Sequence, residues 1–507
     1  MTKLKAPVTS VLALGLGLSG TAAFADLTAQ DVWADWKDYM SGFGYEITGE
    51  ESTSGDTLTI KDLAMAMDMP EGAGSFSMSI SEFSFTDNGD GTVNMTIPAV
   101  MPITVSVDTP DAEDVDMKVD YVTDSFEMVA SGDPDNLTYA YTADELSMIL
   151  KELVVEGEPV DIGTANVTLA ALSGQSNIRN GNIRMIDQTI AAGPVTYAMD
   201  FVDPEGEGRM VLNGKFDTMN FSGGGSFPDG MDPNNMASML KAGFGFAGGF
   251  DHTGGSFNMN FQEDGETVQV NTNSEDGKAR VAMDEGQLLY DVSANNTNIQ
   301  MAGAEIPFPI ELAMAQSGFK LMMPISKAEG EQDFALGITL GDFTMSDLLW
   351  GLFDPAAQLP RDPATIAMDV SGKAKLFFDV MDPEQMAAVE TGDEMPGELN
   401  ALTLNSLTVS AAGAELTGNG DFTFDNSDLT TFDGMPAPEG AVDLSLSGGN
   451  GLLDKLVAMG LLPEEQAMGA RMMMGLFAIP GEGDDMLTSK IEVKSDGQVL
   501  ANGQRLR

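Results

Sequence analysis

Glycines spaced as GxGxxG are the first residues that could do chemistry, because this spacing lets a backbone cradle a dinucleotide pyrophosphate. The match that begins at Gly15 lies in an N-terminal segment that we expect to be cut off. The match that begins at Gly243 follows a helical pattern and precedes a strand pattern, the reverse of the order in a dinucleotide-binding fold. Neither match predicts a dinucleotide, and we expect no cofactor.

The chain has one histidine, His252, and no cysteine. One histidine cannot build a multi-histidine metal site, and the sequence contains no GxSxG elbow that would present a serine nucleophile to it. The lack of cysteine excludes thiolate chemistry. We expect His252 to be a solvated loop residue after a glycine-rich run.

Two short motifs, at residues 87–91 and 448–451, resemble calcium-binding loops. If Gly91 is the loop glycine of the first, Ile97 stands where the bidentate glutamate belongs. In the second, Leu453 replaces the required aspartate. We predict that both motifs are turns and that the chain has no metal site.

The 79 acidic residues of the chain include many pairs that could act as the two carboxylates of a glycoside hydrolase. This abundance singles out no pair, and three tryptophans offer few platforms for a sugar. We therefore predict no catalytic residues and no enzyme, and a carboxylate-dependent hydrolase is the least favoured alternative.

Methionine is the residue type that points most clearly to a function, because its 36 copies exceed the 26 of phenylalanine. Methionine fills irregular gaps and adapts to variable apolar partners. The simple interpretation is a normally packed core, and the functional one is a sheet face that stays partly open to an apolar ligand. The predicted apolar lining consists of Met78, Met95, Met117, Met128, Leu456 and Met472.

These side chains must be positioned mainly by β-strands. From Thr57 onward, apolar residues alternate with polar ones, and turn sequences such as residues 133–136 recur along the chain. Thr28 with Asp31 resembles a capping box that opens an amphipathic helix. The fold class is therefore mainly β (α+β), an elongated antiparallel sheet with an N-terminal helix and a C-terminal helix pair at 451–478 packed on the sheet.

Shorter helical patterns occur at about 232–242, 344–353 and 383–390. The glycine-rich stretch near the middle of the chain is the best candidate boundary between the two halves. We predict a signal peptide at 1–25, an N-terminal helix and β region at 26–222, a glycine-rich connection at 223–255 and a C-terminal β region at 256–507.

Residues 1–25 have the pattern of an export signal. Lys3 and Lys5 precede a short apolar run, and Ala23 and Ala25 are the small residues that a signal peptidase requires. The sequence has no cysteine for acylation and no later apolar run of 18 residues. We expect cleavage after Ala25, no membrane span and a soluble periplasmic protein, with secretion outside the cell as the alternative.

The formal net charge is −55 at pH 7. This sign excludes nucleic acid as an expected partner, because phosphates are bound by clustered Lys and Arg, which this chain lacks. Anionic membrane surfaces are disfavoured for the same reason. The simple interpretation of the charge is solubility in a saline medium, and the alternative is weak binding of divalent cations.

The C-terminal third resembles a known family. Residues 402–409 and 411–421, the helix pair and residues 491–506 resemble the ending of an exported family from Gram-negative bacteria, number 2125 among the domains of unknown function. The opening helix and the Met-rich strands are similar to that family too. The closing sheet, helices and hairpin also resemble, distantly, AsmA-like envelope proteins, which are implicated in lipid traffic. Neither resemblance supplies catalytic residues.

These observations predict a non-catalytic, exported envelope protein that binds an apolar ligand or lipid. One alternative is a structural or interaction protein with a dry core and an acidic surface that contacts another envelope protein. The other is the carboxylate-dependent hydrolase.

Overall fold

A computed structural model describes residues 26–69, 74–109, 114–160, 162–202, 208–232, 235–263, 265–304, 306, 308–391 and 395–507. The predicted signal peptide therefore lies outside the described residues.

The described part of the chain contains six helices, namely α1 (Ala29–Gly42), α2 (Met236–Lys241), α3 (Asp347–Phe353), α4 (Pro383–Glu390), α5 (Gly449–Ala458) and α6 (Glu464–Phe477). The first fourteen strands are β1 (Glu46–Ser54), β2 (Thr57–Asp68), β3 (Ser75–Asp87), β4 (Val93–Thr96), β5 (Val100–Asp108), β6 (Val115–Asp124), β7 (Glu127–Asp133), β8 (Asn136–Val155), β9 (Glu158–Pro159), β10 (Ile162–Arg179), β11 (Ile183–Ala192), β12 (Val195–Val202), β13 (Arg209–Phe216) and β14 (Thr218–Pro228). The remaining strands are β15 (Gly245–Glu263), β16 (Glu266–Met283), β17 (Gln287–Gly303), β18 (Ile310–Pro324), β19 (Gln332–Met345), β20 (Ala364–Leu376), β21 (Gly397–Ala411), β22 (Ala414–Asp425), β23 (Ala437–Ser447), β24 (Ile479–Pro480), β25 (Met486–Val493), β26 (Val499–Ala501) and β27 (Gln504–Arg505).

All of these strands belong to one antiparallel sheet, which confirms the predicted fold class. The predicted opening helix is α1, and its capping box is present: the Thr28 hydroxyl accepts from the Asp31 amide at 3.2 Å, and the Asp31 carboxylate accepts from the Thr28 amide at 3.0 Å. The predicted helix pair corresponds to α5 and α6, and the three shorter helical patterns to α2, α3 and α4.

The N-terminal part of the sheet contains the same strand arrangement twice. The two halves of β3 pair with β4 and β5, these strands pair with β7 and β6, and those strands rejoin side by side on β8. The second unit repeats this arrangement from β10, through β11 with β14 and β12 with β13, to β15. From β15 to β23 the strands follow one another as a simple meander.

The glycine-rich stretch is not a linker between two separate sheets. It contains most of β14, then α2 and the first half of β15, and β14 pairs with β15 from Thr218 opposite Thr253 to Ser226 opposite Gly245. One sheet therefore continues through the predicted connection at 223–255. The boundaries of the two β regions remain a prediction.

A line of left-handed residues crosses the long strands. Ala171 on β10, Gly254 on β15, Asn296 on β17 and Asp342 on β19 have φ angles of 48°, 60°, 48° and 51°. At Ala171, Gly254 and Asn296 the pairing omits one position on both strands and keeps its register, whereas at Asp342 the register shifts, as in a β-bulge. Leu169 and Leu172, on either side of Ala171, pack into the same apolar cluster, so both halves of this strand present apolar side chains to one face.

The densest part of the core lies under α1. Val32 and Trp33 of the helix are buried against Leu58, Ile60 and other apolar residues of the sheet. The ring of Trp33 meets Phe83 edge-on with 5.8 Å between centroids. Such aromatic pairs add about 0.5–1.5 kcal/mol beyond the burial of their surface, so α1 is fixed to one end of the sheet.

Candidate functional site

The most unusual feature of the molecule is a half-exposed apolar face of the sheet. Strand alternation and register align apolar side chains in rows that run across the strands, as in the row Tyr290, Leu321, Leu336, Val370 and Leu404 from β17 to β21. No charged side chain interrupts this row.

Large side chains on this face remain between 36% and 51% exposed. They are Phe221, Phe246, Phe250, Tyr290, Val292, Phe319, Leu340, Ile366 and Val409. They extend over the eight adjacent strands from β14 to β21, which is about 34 Å at roughly 4.8 Å per strand. Monomeric soluble proteins rarely leave a contiguous apolar surface of this extent uncovered.

Helices cover this face near its two ends. Helix α1 lies at one end. Helix α6 lies over β22, β23 and β25 at the other end, and a gap remains between this helix and the strands. A cavity of about 460 Å³ remains there between Met474 and Phe477 of the helix and Leu416, Leu446 and Leu487 of the sheet. The described helix pair therefore covers this end loosely.

A second cavity, of about 450 Å³, lies beside α1 on strands β14 and β15. Its floor contains Gly223 and Gly248, which are directly opposite each other in the sheet. A side chain at Gly223 would place its Cβ only 2.7 Å from the Gly248 Cα. The two glycines leave backbone at the floor, and the Phe221 ring tip lies 3.2 Å from the Cβ position of Gly223 and 3.6 Å from that of Gly248. The rings of Phe227, Phe246 and Phe250 also line this cavity.

A third cavity, of about 460 Å³, adjoins the second, because Tyr39, Ile186 and Gln188 line both. It lies under α1 and combines apolar walls with a hydrogen-bonding group: Gln188 Nε2 donates to the Tyr141 hydroxyl at 2.9 Å.

A buried ion pair closes one side of this third cavity. The two terminal guanidinium nitrogens of Arg184, Nη1 and Nη2, donate to the two carboxylate oxygens of Asp35, at 2.7 and 2.8 Å. Asn180 Nδ2 also donates to Asp35, at 2.7 Å. Burial, together with the Asp35 carboxylate, raises the pKa of the Tyr139 hydroxyl, so it stays a protonated donor. Asp35 thus pairs with the two terminal nitrogens of Arg184, whereas Nε of Arg184 is buried without a hydrogen-bond partner among the described residues.

The structure spreads the six predicted lining residues over several places. Met78 and Met95 pack against the core under α1. Met117 is half-buried on β6, opposite Val105 and Leu153. Met128 lines the third cavity. These four share the apolar face but do not meet at one site.

The two predicted helical lining residues differ from each other. Leu456 is half-buried on α5. Met472 is 72% exposed on α6. The neighbouring residues Met473 and Met474 line the cavity under the helix. Met472 itself does not line this cavity, because one residue along a helix turns a side chain by about 100°.

His252 is not a loop residue. It lies on β15, with its ring 4.7 Å from the Phe216 ring and 6.4 Å from the Phe250 ring, between centroids. Burial lowers the pKa of the imidazole, and Asp276 and Asp251 partly oppose this effect. His252 is thus a neutral member of the apolar face at neutral pH.

The two calcium-like motifs have other roles in the fold. In the first, the carboxylates are used by the backbone: Asp87 accepts from the Ala29 amide and Asp90 from the Thr92 amide. The second is the start of α5, which begins at Gly449, and not the predicted turn. Among the described residues, no group of three or more acidic or histidine side chains is arranged to hold a metal ion.

Sequence reasoning missed the aromatic border of the second cavity. The signal was present, because Phe246 and Phe250 alternate with Gly248 at the spacing of a strand. The glycine between the two phenylalanines made this alternation hard to recognise, since a residue without a side chain adds nothing to a hydrophobic pattern.

No helix among the described residues is long and apolar enough to cross a membrane. A search of the curated proteins found no match. The model of an uncharacterized protein family conserved in bacteria, domain of unknown function 2125, matches residues 253–506, which include the second half of β15 and every later element. The comparisons did not show the AsmA-like resemblance. The chain belongs to the uncharacterized bacterial family of domain of unknown function 2125.

Proposed function

We propose that this protein is a non-catalytic lipid-binding protein of the cell envelope, and that the apolar face of its sheet holds acyl chains. The observation that carries the proposal is the run of half-exposed apolar side chains across eight strands. Exposing so much apolar surface to water costs free energy, roughly 25 cal/mol per Å², so an apolar occupant would stabilise the protein.

The shape of the face favours a chain-like lipid over a folded protein partner. Its rows run across the strands, so an extended acyl chain can lie along one row and contact a new side chain at every strand. Tyr290, Leu321 and Leu336 are three consecutive contacts of this kind. The methionines of the face can adjust to chains of different length and unsaturation.

The proposal includes export. Residues 1–25 have the features of a signal peptide, and we propose that the mature protein begins at Asp26 in the periplasm. The intact mass of the protein purified from the periplasmic fraction checks this part. A mass that includes residues 1–25, or recovery only from the cytoplasm, would overturn it.

Native mass spectrometry of the mature protein purified from its own host tests lipid binding. We expect bound lipid on the wild type and at least a tenfold lower bound fraction for Phe319→Asp, which places a charge on the face. Lys320→Asp is the matched control, because the next residue of β18 projects from the opposite face of the strand, where the same side chain should leave binding unchanged.

Repeated absence of lipid from the wild type would contradict the proposal, as would equal binding by the two variants. An envelope protein co-purifying in place of lipid would favour the interaction protein. Turnover of a glycoside that is lost on substitution of single carboxylates would favour the hydrolase.

A further inference from the structure

The row of residues that crosses the two adjoining cavities changes from polar to apolar along its length. It contains Gln188 on β11, Gly223 on β14, Gly248 on β15, Val281 on β16 and Tyr290 on β17. Gln188 is at the α1 end, and Tyr290 lies on the open face. A ligand lying along this row would meet hydrogen-bonding groups at one end only.

The glycine floor gives the row its depth. The Phe221 ring tip lies beside Gly223 and Gly248, so a chain between the rings of Phe246 and Phe250 would contact that ring and the adjoining backbone. These two residues are four positions apart on β15, about 13 Å along the strand. That width, less the thickness of the rings, admits a single acyl chain.

The polar end offers neutral hydrogen-bonding groups. The Tyr141 hydroxyl accepts from Gln188, so its own hydrogen is free to point at a ligand, and Gln188 keeps its carbonyl oxygen as an acceptor. Ser176 lines the same cavity. Together these groups match a ligand that both donates and accepts.

The charge at this end selects against anionic head groups. Arg184 is the one cation among the described residues that line the two cavities, and Asp35 already binds it through two hydrogen bonds. Nε of Arg184 is buried without a hydrogen-bond partner among the described residues, but a phosphate or carboxylate placed here would lie beside the Asp35 carboxylate, and the only nearby cation already forms an ion pair with it. An unpaired anion in such a partly dry site is costly.

Resting on the proposed function, we infer that these two cavities form one site for a neutral single-chain lipid, such as a fatty alcohol or a monoacylglycerol. Its hydroxyl or ester group bonds Gln188 and Tyr141 under α1. Its chain lies over Gly223 and Gly248 and points toward Tyr290. Anionic lipids of the same chain length bind more weakly at this site.

Tryptophan quenching by brominated lipids tests this inference on the delipidated mature protein, because Trp36 lines the third cavity. The probes are a monoacylglycerol, a free fatty acid and a lysophosphatidylglycerol, all with the same dibrominated chain. We expect the monoacylglycerol to bind at least tenfold more tightly than the two anionic probes. Tyr141→Phe should weaken it by roughly three- to tenfold, the usual effect of one neutral hydrogen bond.

Gly248→Leu fills the floor and should abolish quenching by all three probes. Gly351→Ala is the control glycine variant, since nothing lies within 4 Å of its added Cβ. Because Gly248→Leu changes a tightly spaced pair of strands, Tyr141→Phe is the decisive variant if the leucine protein does not fold.

Two failures are distinguishable. If no probe quenches and native mass spectrometry also finds no lipid, the proposed function fails together with this inference. If the anionic probes bind as tightly as the monoacylglycerol, or Tyr141→Phe changes nothing, lipid binding stands and the assignment of a neutral head group is overturned.

Discussion

Single residues decide how α1 is held on the sheet. Asp35 and Arg184 have side chains only 5% and 13% exposed, and the Arg184 guanidinium lies 4.8 Å from the centre of the Tyr39 ring. Removing two charges from water is expensive, so such a pair contributes little net stability when intact. Removing one partner is different, because it leaves the other charge buried alone.

We therefore expect Asp35→Asn to lower the free energy of unfolding by about 3 kcal/mol, toward the low end of what breaking a buried pair costs. Asp187→Asn, which removes the carboxylate of the exposed pair with Arg179, should cost less than about 1 kcal/mol. Urea unfolding followed by tryptophan fluorescence measures both, since Trp33 and Trp36 lie on α1.

A double variant completes the test at this scale. Asp35→Leu with Arg184→Met should cost clearly less than the sum of the two single changes, because no lone charge remains. Equal losses for Asp35→Asn and Asp187→Asn would show that the buried pair does not hold the helix.

At the scale of the elements, the left-handed residues interrupt the alternation of β10, β15, β17 and β19. Ala171 is the informative member, because alanine gains nothing in this conformation: a side chain at φ 48° is strained relative to glycine. Leu169 and Leu172, on either side of Ala171, both pack into one cluster with Ala143 and Leu146.

We expect Ala171→Gly to raise the free energy of unfolding by up to about 1 kcal/mol, and Ala171→Val to lower it by about 2 kcal/mol or more. Ala170→Gly is the control, because the neighbouring residue is in ordinary strand conformation and glycine should cost about 0.5–1 kcal/mol there. Urea unfolding measures all three. A loss of stability in Ala171→Gly equal to that in Ala170→Gly would contradict a role for the left-handed position.

The elements themselves were largely predictable from the sequence, because both signals are local. Each signal extends over only a few consecutive residues. This is true of the alternation in β3, of the alternation in β6 and of the capping box of α1. The left-handed position at Ala171 is not predictable, since alanine carries no signature of this conformation. The glycines of residues 223–255 interrupt the alternation of β14 and β15, so the sequence predicts a connection there and places His252 in a loop.

At the scale of the whole molecule, what the sequence could not supply is how the strands pair. Whether β4 pairs with β7 and β11 with β14, as they do, depends on contacts between strands that are not consecutive in the sequence. The same limit applies to the site: Gln188 and Val281 lie on one row only because β11, β14, β15 and β16 are neighbours.

The first edge of the sheet carries negatively charged side chains. Nearly all of β1, the first edge strand, is exposed, and it carries Glu46, Glu50 and Glu51. Acidic side chains on an edge discourage another chain from pairing with it. The negative charge of the edge strand therefore disfavours association of the sheet with other chains.

That charge should also make stability depend on salt. At a formal net charge of −55 the folded molecule repels itself, and raising NaCl from about 0.01 M to about 0.3 M shortens the screening length from about 30 Å to about 6 Å. The exposed ion pairs that salt weakens are each worth less than about 1 kcal/mol, so relief of repulsion dominates. We expect the urea midpoint to rise steadily over this range.

Comparing MgCl2 with NaCl at equal ionic strength separates the two interpretations of the acidic surface. General screening predicts the same midpoint for both salts, because no described cluster of three acidic groups is arranged to hold an ion. A midpoint clearly higher in MgCl2 would show that divalent cations bind the folded protein, since a ligand of the native state stabilises it by mass action. A midpoint that falls with salt would instead show that the ion pairs outweigh the repulsion.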